Sequence, residues 1–221
     1  MNVTEAVRAR HSCRAFTDKA VPADLVRELL ETAARAPSGG NLQPWHVYVL
    51  TGEPLERLKA DVAGKRANGE SEDGEYVIYP PNLWEPLRTR RREAGALRYD
   101  ALGVGREENG AALLEDLNFA FFGAPVGLFY ALDRRVGPPQ WSDMGMYMQT
   151  LMLLAVERGL ATCPQEIWSV WPQTVARHTG MPNNLLLFAG MSLGHEDPAS
   201  PMNAYRTERA ALESFATFLE S

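Results

Sequence analysis

The stretch Arg10-His11-Ser12-Cys13-Arg14-Ala15-Phe16 gathers basic and hydroxyl side chains near the start of a chain that is acidic overall. Read as an extended segment, it sends Arg10, Ser12 and Arg14 to one side and His11 and Cys13 to the other, because side chains alternate along a strand. Two guanidiniums with a hydroxyl between them suit a phosphate: planar forks meet the charge, and the short donor reaches a third oxygen. Taken alone, the segment reads equally well as solvated charge beside an N-terminal helix. The rest of the chain has to decide between the two.

Composition sets the first limits. With 221 residues, the chain is long enough for one domain with a substantial core and too short to need two. Its 45% hydrophobic and 23% charged residues are ordinary for a water-soluble globular protein. A net charge of -6 argues against nucleic acid or an anionic membrane as the main partner, since both demand a basic footprint. Any phosphate is therefore held by a local cluster. Cys13 and Cys163 are the only cysteines and could pair, but nothing suggests a secreted disulfide framework. The opening residues lack the apolar core of a signal peptide, and no apolar run could span a bilayer, so a cytoplasmic location is expected.

Val3, Ala6 and Val7 mark one face of a short helix ending near Arg10. A second helix is predicted from Pro22, through Leu25, Val26, Leu29, Leu30, Ala33 and Ala34, up to Pro37. Pro37-Ser38-Gly39-Gly40-Asn41-Leu42-Gln43-Pro44-Trp45 is punctuation: its glycines allow close backbone approach, and the Asn41 and Gln43 amides suit a polar heterocycle. A plain helix-to-strand turn is the alternative. A strand is expected over Trp45 to Leu50, then a helix from Glu53 to about Arg66 and a loop to Glu75.

The region from Tyr76 to Asn109 reads as the least regular. A solvated helix face explains the run Arg88-Thr89-Arg90-Arg91-Arg92 most cheaply, with a substrate-carboxylate or nucleotide contact as the alternative. Gly103-Val104-Gly105 is no dinucleotide loop, since the third glycine comes only at Gly110 and no strand precedes it. Ala111 to Phe122 is predicted helical, and Phe119, Phe121 and Phe122 near its end read first as core. Val126 to Leu132 is a strand; Asp143 is placed as the cap of a broad-faced helix ending at Gly159 and suited to burial, including against a partner chain. Gly159 to Glu166 breaks regularity, a helix follows from Pro172 to about Thr179, and Leu185 to Leu193 is the clearest core strand. The tail, with Arg206, Arg209, Leu212, Phe215 and Leu219, fits a helix or an extended arm.

The four histidines show no metal-ligand spacing, and neither a nucleophile elbow nor a Walker loop is present. A phosphate clamp, an amide-rich loop and a Gly-Pro loop without acid-base or nucleophile apparatus suit a protein whose bound cofactor performs the reaction.

At this point a resemblance becomes specific. The Arg10 to Phe16 stretch, the Pro37 to Trp45 loop, Gly159-Leu160-Ala161-Thr162-Cys163-Pro164-Gln165-Glu166 and the Arg206/Arg209 tail together resemble the FMN-dependent nitroreductase family, in the family's order and over nearly the whole chain. The third of these motifs is most similar to reductases of the nitrobenzoate and nitrophenol type. The resemblance implies an α+β fold around a central mixed sheet flanked by helices, built as an intertwined homodimer with FMN at the subunit interface. It implies that Arg10, Ser12 and Arg14 hold the FMN phosphate and ribityl chain, with Arg209 joining from the tail and His11 standing where an arginine is common. Asn41 and Gln43 would reach the flavin from the neighbouring subunit. Pro164, Gln165 and Glu166 would line the isoalloxazine, with a backbone N–H near Glu166 directed at N5.

The implied activity is ping-pong reduction of nitroaromatic or related small aromatic acceptors by NAD(P)H, with no side chain as nucleophile and no metal. The implied domain is one, residues 1–221, in which about 76–122 is the variable region covering the site; Phe119, Phe122 or the Arg88 to Arg92 run would set specificity there. The chain stops at Ser221, a short way past Arg209, which implies a short exchanged arm. Reductive dehalogenases, flavin reductases and other dehydrogenases share the implied fold, and a flavin-binding sensor or carrier without a substrate is the reading from a different class.

Overall fold

The computed structural model describes residues 1–219; Glu220 and Ser221, the end of the expected arm, lie outside the described residues. Its centre is a sheet of β1 (His46–Thr51), β2 (Val126–Asp133), β3 (Ala161–Gln165) and β4 (Leu185–Gly194), in the order β1-β2-β4-β3. The two central strands, β2 and β4, are near-continuous apolar runs, as expected of strands covered on both faces. All three pairings between named strands are antiparallel. The parallel component comes from an isolated bridge between Ser12 and Thr162, with the Cys13 N–H donating to the Thr162 carbonyl at 2.9 Å.

Helices cover the sheet on both sides. On one face, α2 (Ala23–Ala33) and α6 (Pro138–Glu157) pack Leu29, Met144, Leu151 and Met148 against Leu128, Tyr130 and Met191. On the other, α3 (Gly52–Ala67), α5 (Ala111–Phe119) and α7 (Pro172–Thr179) enclose Phe121, Phe129 and Trp168. Trp168 is fully buried and stacks on Phe121 at 4.8 Å, with Phe119 and Phe129 meeting it edge-on. A glycine at 190 is required by this packing, since a Cβ there would stand 2.4 Å from Trp168 Cδ1.

Four expectations are corrected. Gly159 to Glu166 does not stay irregular: it supplies β3, an edge strand in which Pro164 is tolerated because an edge leaves some N–H groups unpaired anyway. Asp143 does not cap α6, which begins at Pro138 after Gly137; the carboxylate is buried inside the helix and accepts from the Gly39 N–H at 3.2 Å. The least regular region contains the 16-residue α4 (Leu87–Leu102), closed by Gly103 in the left-handed conformation at φ 70°. α4 has no buried residue, so packing left little periodicity to read, and its arginine run does lie on an exposed helix. Finally, the helix predicted to Phe122 ends at Phe119, and a 3-10 turn over Phe121–Gly123 follows with φ near 54° at Phe122.

The tail carries a 3-10 turn at Pro201–Asn203 and another at Leu212–Ser214, and exposes Phe215 and Phe218. Among the described residues no helix is long and apolar enough to cross a membrane.

Candidate functional site

The bridge to Thr162 sets the directions of Ser12 and Cys13 in the first motif. It holds the segment after α1 (Val3–Ala9) extended along the edge strand β3, so that Cys13 turns fully into the core while Ser12 faces outward. Burial pushes the Cys13 thiol up to about 12. The outward side opens on a cleft of about 440 Å³ lined by Arg10, Ser12 and Arg14 together with Arg209 from the tail. Two of the four sequence motifs thus meet there, and the third lies alongside through Thr162.

Six arginines line this cleft: Arg8, Arg10, Arg14, Arg98, Arg206 and Arg209. No carboxylate is among its lining residues, and among the described residues none of the six forms an ion pair. Burial, followed by the nearby Arg209 guanidinium, lowers Arg10 below the ordinary arginine value. Clustered positive charge without an internal counter-charge is unfavourable unless an anion shares the space.

Several contacts set the arginines in place. The Asn203 side chain accepts from the Arg14 N–H at 2.7 Å and donates to the carbonyls of Ala15 and Asp197. Arg14 Nη1 donates to the Tyr205 hydroxyl at 2.9 Å and to the Ser12 carbonyl at 3.2 Å. Arg206 and Arg209 are steadied by local carbonyls, Asn203 and Thr207 respectively. Arg98 Nε is buried with no hydrogen-bond partner among the described residues, a donor in want of an acceptor.

Other predicted residues are placed differently. His11 borders the cleft, but its Nε2 lies 3.1 Å from Glu196 and its Nδ1 3.2 Å from the Ala9 carbonyl, so both ring nitrogens are engaged. Asn41 and Gln43 are exposed at the far end of the glycine loop and do not line the cleft; Gln43 Nε2 donates to the Asn41 carbonyl. Both adopt positive φ, 57° and 48°. Pro164 and Gln165 continue along β3 from Thr162, and Glu166 opens the 3-10 turn that follows it. The Gln165 side chain is buried, donating to the Asn118 carbonyl at 2.6 Å and accepting from Ser192 at 2.8 Å, so its amide is taken up inside the protein. Desolvation raises the Glu166 carboxyl above its ordinary range, although part of the residue meets solvent. Phe119 and Phe122, expected as specificity residues, are core side chains, each 4% exposed, and neither lines the cleft.

Sequence reasoning missed Arg98, Tyr205 and Asn203. Their only signal was composition: an arginine in a basic helix and polar residues before the Arg206/Arg209 tail. Packing of α4 against the Pro201–Asn203 turn, a long-range contact, brings Arg98 to the site.

A profile of the Nitroreductase family matches residues 7–195. The chain belongs to that family. It is 37% identical to a chloronitrobenzene nitroreductase of Comamonas testosteroni over 98% of this chain and 96% of the relative. It is 35% identical to a 4-nitrobenzoate reductase of Pseudomonas putida, with 96% and 93% covered. Among solved structures, the FMN and NADPH-dependent nitroreductase NfnB from sphigopyxis sp. strain HMH superimposes with a TM-score of 0.96 at 41% identity, with 100% of each chain covered. The nitroreductase-like α+β fold is therefore established.

Proposed function

We propose that the protein is an FMN-dependent oxidoreductase that passes electrons from NAD(P)H to a nitroaromatic or related small aromatic acceptor. The observation that carries this reading is the cleft itself: six unpaired arginines and an orphaned guanidinium nitrogen in a chain of net charge -6. Such a donor-only site fits a phosphate monoester, which brings about two negative charges and three acceptor oxygens. The names and cofactors of the relatives reported above point the same way.

In this reading Arg10, Ser12, Arg14, Arg98 and Arg209 hold the phosphate and the adjoining ribityl hydroxyls. Pro164 and Gln165 lie about 7–10 Å beyond Thr162 along the same strand at the usual rise per residue, and Glu166 opens the turn that follows, where the flavin ring would be lined. A backbone N–H near Glu166 would be the donor to the flavin N5, a role that needs no particular side chain. Asn41 and Gln43 stand outside the cleft of their own chain and reach the cofactor from a second copy, which makes the working unit a homodimer. Exposed Val3, Val7, Leu42 and Val49 supply apolar surface for that association. FMN, when bound, would supply the hydride-transfer chemistry, with a ping-pong order as the expected kinetics. The chain's own part is to bind, orient and shield, while solvent supplies protons; residues 76–122 act as the cover of the site.

Anaerobic spectroscopy tests the assignment. The purified protein should be yellow, bleach on addition of NADH or NADPH, and recolour when 4-nitrobenzoate is added. Yellow protein that resists both nucleotides would point to a flavin sensor or carrier instead, and colourless protein that takes up no FMN would overturn the cofactor assignment.

A further inference from the structure

Beside the arginine cleft lies a larger basin of about 1180 Å³, formed where the segment before α4 folds back over that helix. Its chemistry is distinct from the cleft's. Tyr79 and Trp84 line it while 48% and 61% exposed, an unusual outlay of aromatic surface. Arg91 sits over the Tyr79 ring at 4.1 Å, so this aromatic already has a cation on its face. Arg88, Arg92 and Arg106 complete the basic lining; its sole carboxylate among the lining residues, Glu85, is bound to Arg88 at 2.8 Å. Arg98 lines both spaces and joins them.

Arg88 and Arg91 tie the preceding segment to α4 through Glu85 and Tyr79, but Arg92 and Arg106 make no ion pair among the described residues. α4 has no buried residue, and Arg88, Arg91 and Arg92 stand three and four apart, where like charges weaken a helix. We propose that this basin binds a flat aromatic group carrying an anionic substituent, the ring stacking on Trp84 or Tyr79 and the anion meeting Arg91 and Arg92. That it admits a redox partner rests on the flavin reading of the adjoining cleft. Two sources supply the chemistry: the 2′-phosphorylated adenosine of NADPH, or the carboxylate of an aromatic acceptor.

The test uses the flavin-loaded protein and the double variant Arg91→Gln/Arg92→Gln, whose FMN content and melting temperature serve as controls for folding. If the donor occupies the basin, KM for NADPH rises about tenfold while KM for NADH is unchanged, as expected for loss of a charge-assisted contact. If the acceptor does, KM for 4-nitrobenzoate rises by a similar factor while that for nitrobenzene holds. Unchanged values for all four compounds would overturn the proposal. Calorimetry keeps the basin testable even if the cleft takes no flavin: the unaltered protein should bind 2′,5′-ADP more tightly than 5′-AMP, or benzoate more tightly than benzamide, and the variant should lose that preference. No preference in either pair would again overturn it.

Discussion

The orphaned Nε of Arg98 makes the sharpest statement about a single side chain. A buried donor without a partner is costly, and a phosphate oxygen would relieve it. Arg98→Ala is therefore expected to weaken FMN binding about tenfold or more, the usual worth of a hydrogen bond to a charged group, with little change in melting temperature. Fluorescence titration of free flavin would measure it; an unchanged affinity would place Arg98 outside the site. Legibility at this scale depended on local geometry. Arg10, Ser12 and Arg14 could be read together because strand alternation alone puts them on one side, and the bridge to Thr162 makes that alternation real. Arg98 and Tyr205 could not, because α4 brings one in from the middle of the chain and the tail brings the other from near its end.

Among elements, β4 shows how a strand's sequence answers to a partner that is distant in space. Its apolar run was legible as a core strand, yet nothing local explained Gly190, whose missing side chain is the room that Trp168 fills. Gly190→Ala forces the indole or the strand to shift inside a packed aromatic cluster, an overpacking expected to cost about 1–3 kcal/mol. Thermal unfolding would show this as a loss of roughly 2–4 °C per kcal/mol at this chain length; a melting temperature equal to the parent's would mean that the aromatic cluster is loosely packed. β3 and α4 mark the opposite limit of the sequence. β3 is short, contains a proline and follows two residues after a glycine, all of which read as breaks, and only its pairing with β4 makes it a strand. α4 carries no apolar stripe because it buries nothing, so periodicity had nothing to report.

For the molecule as a whole, burial of ionisable groups sets an alkaline limit. Cys13, Tyr76 and Tyr147 are each pushed up to about 12, chiefly by desolvation, from ordinary values of 9.0 for the thiol and 10.0 for the phenols. The unfolded chain loses these protons first as pH rises. Their contribution is thus intact below about pH 9 and declines as pH climbs toward 12. Urea midpoints should fall progressively from pH 9 to pH 11 with the transition slope unchanged, whereas a flat profile would show that these groups meet water in the folded state. Assembly belongs to this scale too. Arg10, Ser12, Arg14 and Arg209 line one cleft, while Asn41 and Gln43 are exposed outside its lining, and the proposed flavin site would take those two amides from a second copy.

The central claim is that the arginine cleft grips a phosphate, and comparing FMN with riboflavin isolates that group, since the two share ring and ribityl chain. Titrating flavin-stripped protein with each, and repeating with Arg10→Ala and Arg209→Ala, is the most direct measurement. FMN should bind at least about 100-fold more tightly than riboflavin, the order expected for several charge-assisted contacts, and each substitution should shrink that ratio. Equal affinity for the two flavins would contradict the account, because the six arginines would then be holding something else.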